Sequence, residues 1–232
     1  MQLKPVPEPE DDPPAPASSI FAPGRIDSRA TGELIAASQR QRLLYGVTSC
    51  VAERGYANTT IEAITNRAGV SKKTFYEHFE NKLEAFLAAY DHGVEGMLAA
   101  IVTAAREAAA AGITDPVELV RLSLRGMLLF VIDEEPYART FFVEVLPLGP
   151  EALRHRAAFH QVLIAEIRNF HERARARHPD WPEVPDAAYE AVLTAIHGLI
   201  TTYVADGRTR DLLNLEETIT YVQRALLQIP FA

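Results

Sequence analysis

Residues 43–86 read LLYGVTSCVAERGYANTTIEAITNRAGVSKKTFYEHFENKLEAF, and this stretch constrains the fold more than any other. It holds three helix-length segments separated by turn signals. Helices this short are not stable alone in water, so they must share a core. Leu43, Leu44, Val47 and Val51 put one apolar face on a first helix, which is expected to stop near Gly55. Thr59-Thr60-Ile61-Glu62 has the form of a capping box and opens a second helix, about Thr60 to Arg67. Ala68-Gly69-Val70 makes a tight turn, with Gly69 suited to the left-handed conformation that ends a helix. Ser71 then caps a third helix through Phe79. Ile61, Ile64, Ala68, Val70, Phe75 and Phe79 are spaced to face a shared interior with the first helix. Lys72, Lys73, Thr74, Tyr76 and Glu77 are left facing outward.

Asn81-Lys82-Leu83-Glu84 opens a long fourth helix, with Leu83, Phe86, Leu87, Tyr90, Val94, Met97, Leu98 and Ile101 at three- and four-residue spacing. Helical periodicity continues to the end of the chain. Asp115-Pro116 and Glu135-Pro136 start further helices, Pro taking the favoured first position. Leu148-Gly149-Pro150 breaks the chain, and His178 to Pro185 is the clearest loop. The last two helices are expected at about Asp186 to Asp206 and Leu215 to Ile229. No stretch alternates long enough for a sheet. The expected class is all-α with about nine helices: an N-terminal three-helix unit over 25–82 and a larger helical domain over 83–232. Residues 1–24 are acidic and carry seven of the fifteen prolines, which reads as a disordered arm.

Two short helices across a tight turn make a helix-turn-helix, in which one helix braces the backbone and the other enters the major groove of DNA. The net charge of −8 argues against nucleic acid until its distribution is read. Residues 25–90 carry nine Lys/Arg against seven Asp/Glu, whereas residues 91–232 carry thirteen against twenty. The motif lies in the only net-positive stretch, and only the facing surface meets phosphate.

The details go beyond spacing. Glu53-Arg54-Gly55-Tyr56 ends the first helix, and Thr59-Thr60 leads the second. Ala68-Gly69-Val70-Ser71 turns, Thr74-Phe75-Tyr76-Glu77-His78-Phe79 follows, and Lys82 stands just beyond. This run resembles the tetracycline-repressor (TetR) family of transcriptional regulators. The resemblance implies phosphate contacts from Thr59 or Thr60, Tyr76 and Lys82, and places Lys72, Lys73 and Thr74 towards base edges. Ser71, at the start of the recognition helix, and His78 complete the implied DNA-facing set. A Lys at 72 or 73 can donate to guanine O6 and N7, and the choice between them stays open.

In relatives the larger half binds an effector and dimerises, so the resemblance implies a homodimer through the last two helices on a palindromic double-stranded operator, released by a small apolar or aromatic molecule. Repression is the family's usual mode. Candidate effector contacts are Phe130, Tyr137, Phe141, Phe142, Phe159, His160 and His197, with Arg121, Arg125 and Glu144 as polar possibilities. For each of these residues, core packing is the competing reading.

Other chemistry finds little support. One cysteine, Cys50, excludes an internal disulfide and a cysteine zinc site, and its place beside Val47 and Val51 reads as a core thiol. His155, His160, His171 and His178 lack the i, i+4 pairing that sets two metal ligands on one helical face. No metal or cofactor is expected. There is no glycine-rich phosphate loop, no G-x-S-x-G elbow and no signal-peptide pattern. The longest strongly apolar run, Met127 to Ile132, is too short for a membrane span, so a cytoplasmic protein is expected. An all-α enzyme and a helical protein–protein adaptor are the alternatives to a DNA-binding regulator.

Overall fold

The computed structural model describes residues 19–20 and 32–230. Apart from Ser19 and Ile20, the arm read as disordered lies outside the described residues.

Among the described residues the fold is all-α, with nine α-helices: α1 (Gly32–Asn58), α2 (Ile61–Ala68), α3 (Lys72–His78), α4 (Lys82–Ala110), α5 (Pro116–Asp133), α6 (Glu135–Arg139), α7 (Pro150–Arg175), α8 (Asp186–Ala205) and α9 (Glu216–Leu226). A π-turn, Thr140–Glu144, continues α6, and short 3₁₀ turns at Leu146–Leu148 and Thr209–Leu215 lead into α7 and α9.

The local signals act where the sequence puts them, with one shift. The cap of α2 is Thr60, whose side chain accepts from Ala63 N–H at 3.1 Å. Thr59 instead is buried and donates its hydroxyl to the carbonyl of Gly55 at 2.9 Å. Gly69 closes α2 with φ 62°. Ser71 caps α3 and Asn81 caps α4, each accepting a backbone N–H from three residues on. The first helix does not stop at Gly55. It breaks there, with φ 77° and ψ 158°, and runs one more turn to Asn58. That left-handed break suits glycine, which has no Cβ to clash.

Leu43, Leu44, Val47, Ile64, Ala68, Phe75 and Phe79 form the core of the three-helix unit, each at most 3% exposed. Phe86, Ala89 and Tyr90 of α4 carry that core into the body. By length and composition α4 is apolar enough to cross a membrane. Here its apolar residues pack on α1 and α5, as a core helix does. Cys50 is buried in α1. Ser19 and Ile20 lie against the body: both oxygens of the buried Glu134 accept, one from Ser19 Oγ at 2.8 Å and one from Ile20 N–H at 2.7 Å. The carbonyl of Ile20 accepts from Gln41 of α1 at 3.0 Å, so this dipeptide bridges the two halves.

Candidate nucleic-acid interface and effector site

Burial of Phe75 turns the opposite face of α3 outward. Tyr76 is 57% exposed, and the Lys73 side chain is 88% exposed. Lys73 Nζ is 3.8 Å from Glu77, a weak one-turn pair, while Lys72 Nζ contacts Glu62 of α2 at 3.1 Å. Both pairs are solvent-exposed, so they hold their lysines loosely and yield to phosphate at little cost. Thr74 is half-buried, its hydroxyl 3.0 Å from that of Ser71. His78 is half-buried beside Phe79, and its pKa is lowered by burial and then by the Arg40 charge. Arg42 donates to the Gly69 carbonyl at 3.3 Å, and Arg67 pairs with Glu53 at 2.7 Å, so both brace the unit. Of the two threonines, Thr60 is exposed and Thr59 is not.

Lys82 has a different environment from the α3 lysines. Its ammonium donates to the carbonyls of Tyr56 and Thr59, each at 2.8 Å, and sits 4.1 Å from the Tyr56 ring centre. Burial lowers its pKa. Two of its three N–H donors thus pin the end of α1 and the approach to α2 onto the start of α4. Glu144 reaches the same point from the body, accepting Tyr56 N–H at 3.0 Å.

The aromatic candidates in the body come together. Tyr90 stacks on Phe141 at 4.5 Å, and Tyr137, Phe142 and Phe159 surround Phe141 at 5.4, 4.7 and 5.6 Å. Phe130 packs edge-on to Tyr137. His197 lies 4.9 Å from both Phe142 and His160. Arg121 and Arg125 are elsewhere: both pair with Glu216 at the head of α9, and Arg121 also with Glu118 at 2.6 Å, which joins α5 to α9. The other histidines form no set with His160 and His197, although His171 and His178 share Trp181 as a ring neighbour. His155 contacts Asp91 at 2.5 Å, His171 contacts Tyr189 OH at 3.0 Å, and His178 stacks on Trp181.

A mainly apolar cavity of about 430 Å³ lies between α4, α5, α7, α8 and α9. Its lining includes the buried Met127, Leu193 and Ile196 together with Leu163, and the exposed Arg106 and Arg173. None of the effector candidates chosen from sequence lines it. No periodicity distinguishes a residue facing a cavity from one facing a neighbour, since both are apolar positions on a helix stripe. A more polar cleft of about 460 Å³ separates α1 and α2 from α6, with Glu53, Arg67 and Arg139 on its walls.

Comparison with known proteins agrees with this geometry. Residues 48–89 match the family described as bacterial regulatory proteins, tetR family. The transcriptional activator FasR of Mycolicibacterium smegmatis is 29% identical over 104 residues, which is 45% of each chain, so the match spans less than half of that relative. Among solved structures, the fatty acid degradation regulator FadR of Bacillus halodurans superposes with TM-score 0.71 at 16% identity, over 82% of this chain and 94% of that one. FadR of Bacillus subtilis in complex with stearoyl-CoA superposes with TM-score 0.66 at 16% identity, over 78% of this chain and 96% of that one. At such identity the structural likeness shows the fold, while the match over 48–89 covers the capped helices, the turn and the exposed α3 face described above. Sequence motif and local geometry converge on residues 48–89, the segment that matches the tetR family of bacterial regulatory proteins, and the described helices share the fold of the FadR structures.

Proposed function

We propose that the protein is a cytoplasmic, ligand-responsive transcriptional repressor that binds a palindromic DNA operator as a homodimer. The observation that carries this reading is α3: a capped helix anchored by Phe75, presenting Lys72, Lys73, Thr74 and Tyr76 on one outward face. Such a helix fits a major groove, where lysines reach guanine edges and phosphates. Ser71, Thr60 and Tyr76 serve the flanking phosphates, and α2 braces α3. The dimer forms through α8 and α9, whose outer faces pair with a second copy. Two-fold symmetry then sets the recognition helices one turn of DNA apart, about 34–36 Å.

The effector enters the apolar cavity between α4, α5 and α7–α9. A mainly apolar lining selects an apolar molecule, in keeping with the stearoyl-CoA bound by the structurally similar FadR of Bacillus subtilis. Occupancy favours a body conformation that, through α4 and the Glu144–Tyr56 contact, holds the two α3 helices at the wrong spacing. Selection of bound sequences from a random DNA pool, followed by a release screen with apolar molecules, tests the reading. A recovered palindrome, and its release by such a molecule, is expected. Retention of no sequence above background overturns it. FasR is an activator, so a promoter fusion measured with and without the protein tests the sign, with higher expression expected in its absence.

A further inference from the structure

A second feature of the body carries charge rather than apolar surface. Arg156 of α7 is half-buried, and no carboxylate lies within ion-pair distance of it among the described residues. Its one polar contact runs from Nη2 to Nδ1 of His197 at 3.3 Å. Thr201 Oγ1 approaches the same Nδ1 at 3.1 Å. With Arg156 donating, Nδ1 of His197 is an acceptor, so its Nε2 carries the proton. That Nε2–H is buried without a protein acceptor, in a residue only 7% exposed. Arg156 Nε, His160 Nε2 and Tyr90 OH are likewise buried without a partner. The His160 ring lies 4.9 Å from that of His197, and Tyr90 stacks on Phe141, whose ring is 6.1 Å from His197.

Three of these four atoms are donors, and the fourth, on His160, is a donor in one of its two tautomers. Leaving buried donors unmatched is costly, and a half-buried guanidinium without a counter-charge adds to that cost. Groups of this kind persist where something supplies the acceptors. The position of the niche says what. His160 lies one helical turn before Leu163 on α7, and Ile196 precedes His197 on α8; Leu163 and Ile196 line the apolar cavity. Two members of the donor set thus stand close in the chain to cavity-lining residues, although none of the four lines the cavity itself.

We propose that Arg156, with His160, His197 and Tyr90, is an anion-reading site next to the apolar cavity, and that the molecule it takes is an apolar chain ending in a carboxylate. The carboxylate pairs with Arg156 and accepts from the imidazole and phenol donors, while the chain fills the apolar cavity. This rests on the effector-site reading above and adds the charge of the ligand to it.

The test uses calorimetry on the full chain without DNA, with dodecanoate and dodecanol as probes of equal length. Dodecanoate is expected to bind the wild type about tenfold or more tighter than dodecanol, the scale of a charged hydrogen bond. Arg156→Gln should remove that preference and leave dodecanol unchanged. Equal affinities for acid and alcohol, loss of both probes in Arg156→Gln, or no binding of either probe overturns the proposal. Imidazole ¹⁵N resonances of the wild type give a readout that needs no folded variant: dodecanoate should shift those of His160 and His197, and unmoved resonances at saturation count against the site. Operator release is measured separately. Dodecanoate that binds as described but leaves operator affinity unchanged supports the anion site and overturns the regulatory reading instead.

Discussion

Glu144, on the π-turn of the body, accepts the backbone N–H of Tyr56 at 3.0 Å, and Tyr56 in turn offers its carbonyl to Lys82. The neighbouring residues Phe141 and Phe142 belong to the same π-turn and to the aromatic cluster. One turn of chain thus touches both the interior of the body and the end of α1. Glu144→Ala should lower stability by about 1–3 kcal/mol, the cost of leaving that buried N–H without an acceptor. Urea denaturation measures it. Glu144→Gln keeps an acceptor and should lose less. If both variants unfold at the wild-type midpoint, the contact holds nothing.

Lys82 is expected to act on stability before it acts on DNA. Lys82→Ala removes the donor shared by the Tyr56 and Thr59 carbonyls, and about 1–3 kcal/mol of destabilisation should follow. Thermal unfolding without DNA checks this, and an unchanged transition would contradict it.

Lys73 should behave in the opposite way. Its side chain is 88% exposed and held by one loose pair, so Lys73→Ala should leave unfolding unchanged. If Lys73 meets phosphate, the slope of log affinity against log salt falls by about one. If it reads a base, the variant changes sequence preference instead. Operator titrations at several salt concentrations separate the two, and a variant identical to wild type in both respects removes Lys73 from the interface.

Gly93 faces the ring of the fully buried Tyr137, and a Cβ there would lie 1.7 Å from Cε2 of that ring. On an open helix, Ala in place of Gly gains about 0.5–1 kcal/mol. Here the sign should reverse, with Gly93→Ala costing about 1–3 kcal/mol through displaced packing. A stabilised variant in chemical denaturation would show that the ring moves aside freely.

Acid should weaken the fold through the body histidines. Burial, then the Arg156 charge, pushes His160 down to about 4 and His197 to about 3, from an ordinary 6.5. The unfolded chain therefore takes up protons first as pH falls. Stability present above pH 6.5 is lost progressively towards pH 4. His197→Gln should flatten that limb relative to wild type in denaturation curves from pH 7 to 4. Parallel curves would mean that His197 keeps an ordinary pKa.

What the sequence determined by itself is local. Thr60, Ser71, Gly69 and Asn81 act within a few residues of their partners, and the stripe from Leu43 to Phe79 needs only helical periodicity to find its core. The outward face of α3 follows from the inward one. The tertiary structure decided whatever depends on distant pairs. It buried Thr59 and exposed Thr60, although both match one motif. It set Arg121 against Glu216, 95 residues away, and Glu144 against Tyr56, 88 residues away. It also placed the cavity between α4, α5, α7, α8 and α9, along residues that periodicity marks mainly as apolar. Capping and periodicity are written in short-range spacing. The partner of a buried charge, and the presence of a space between helices, are fixed only when distant segments pack.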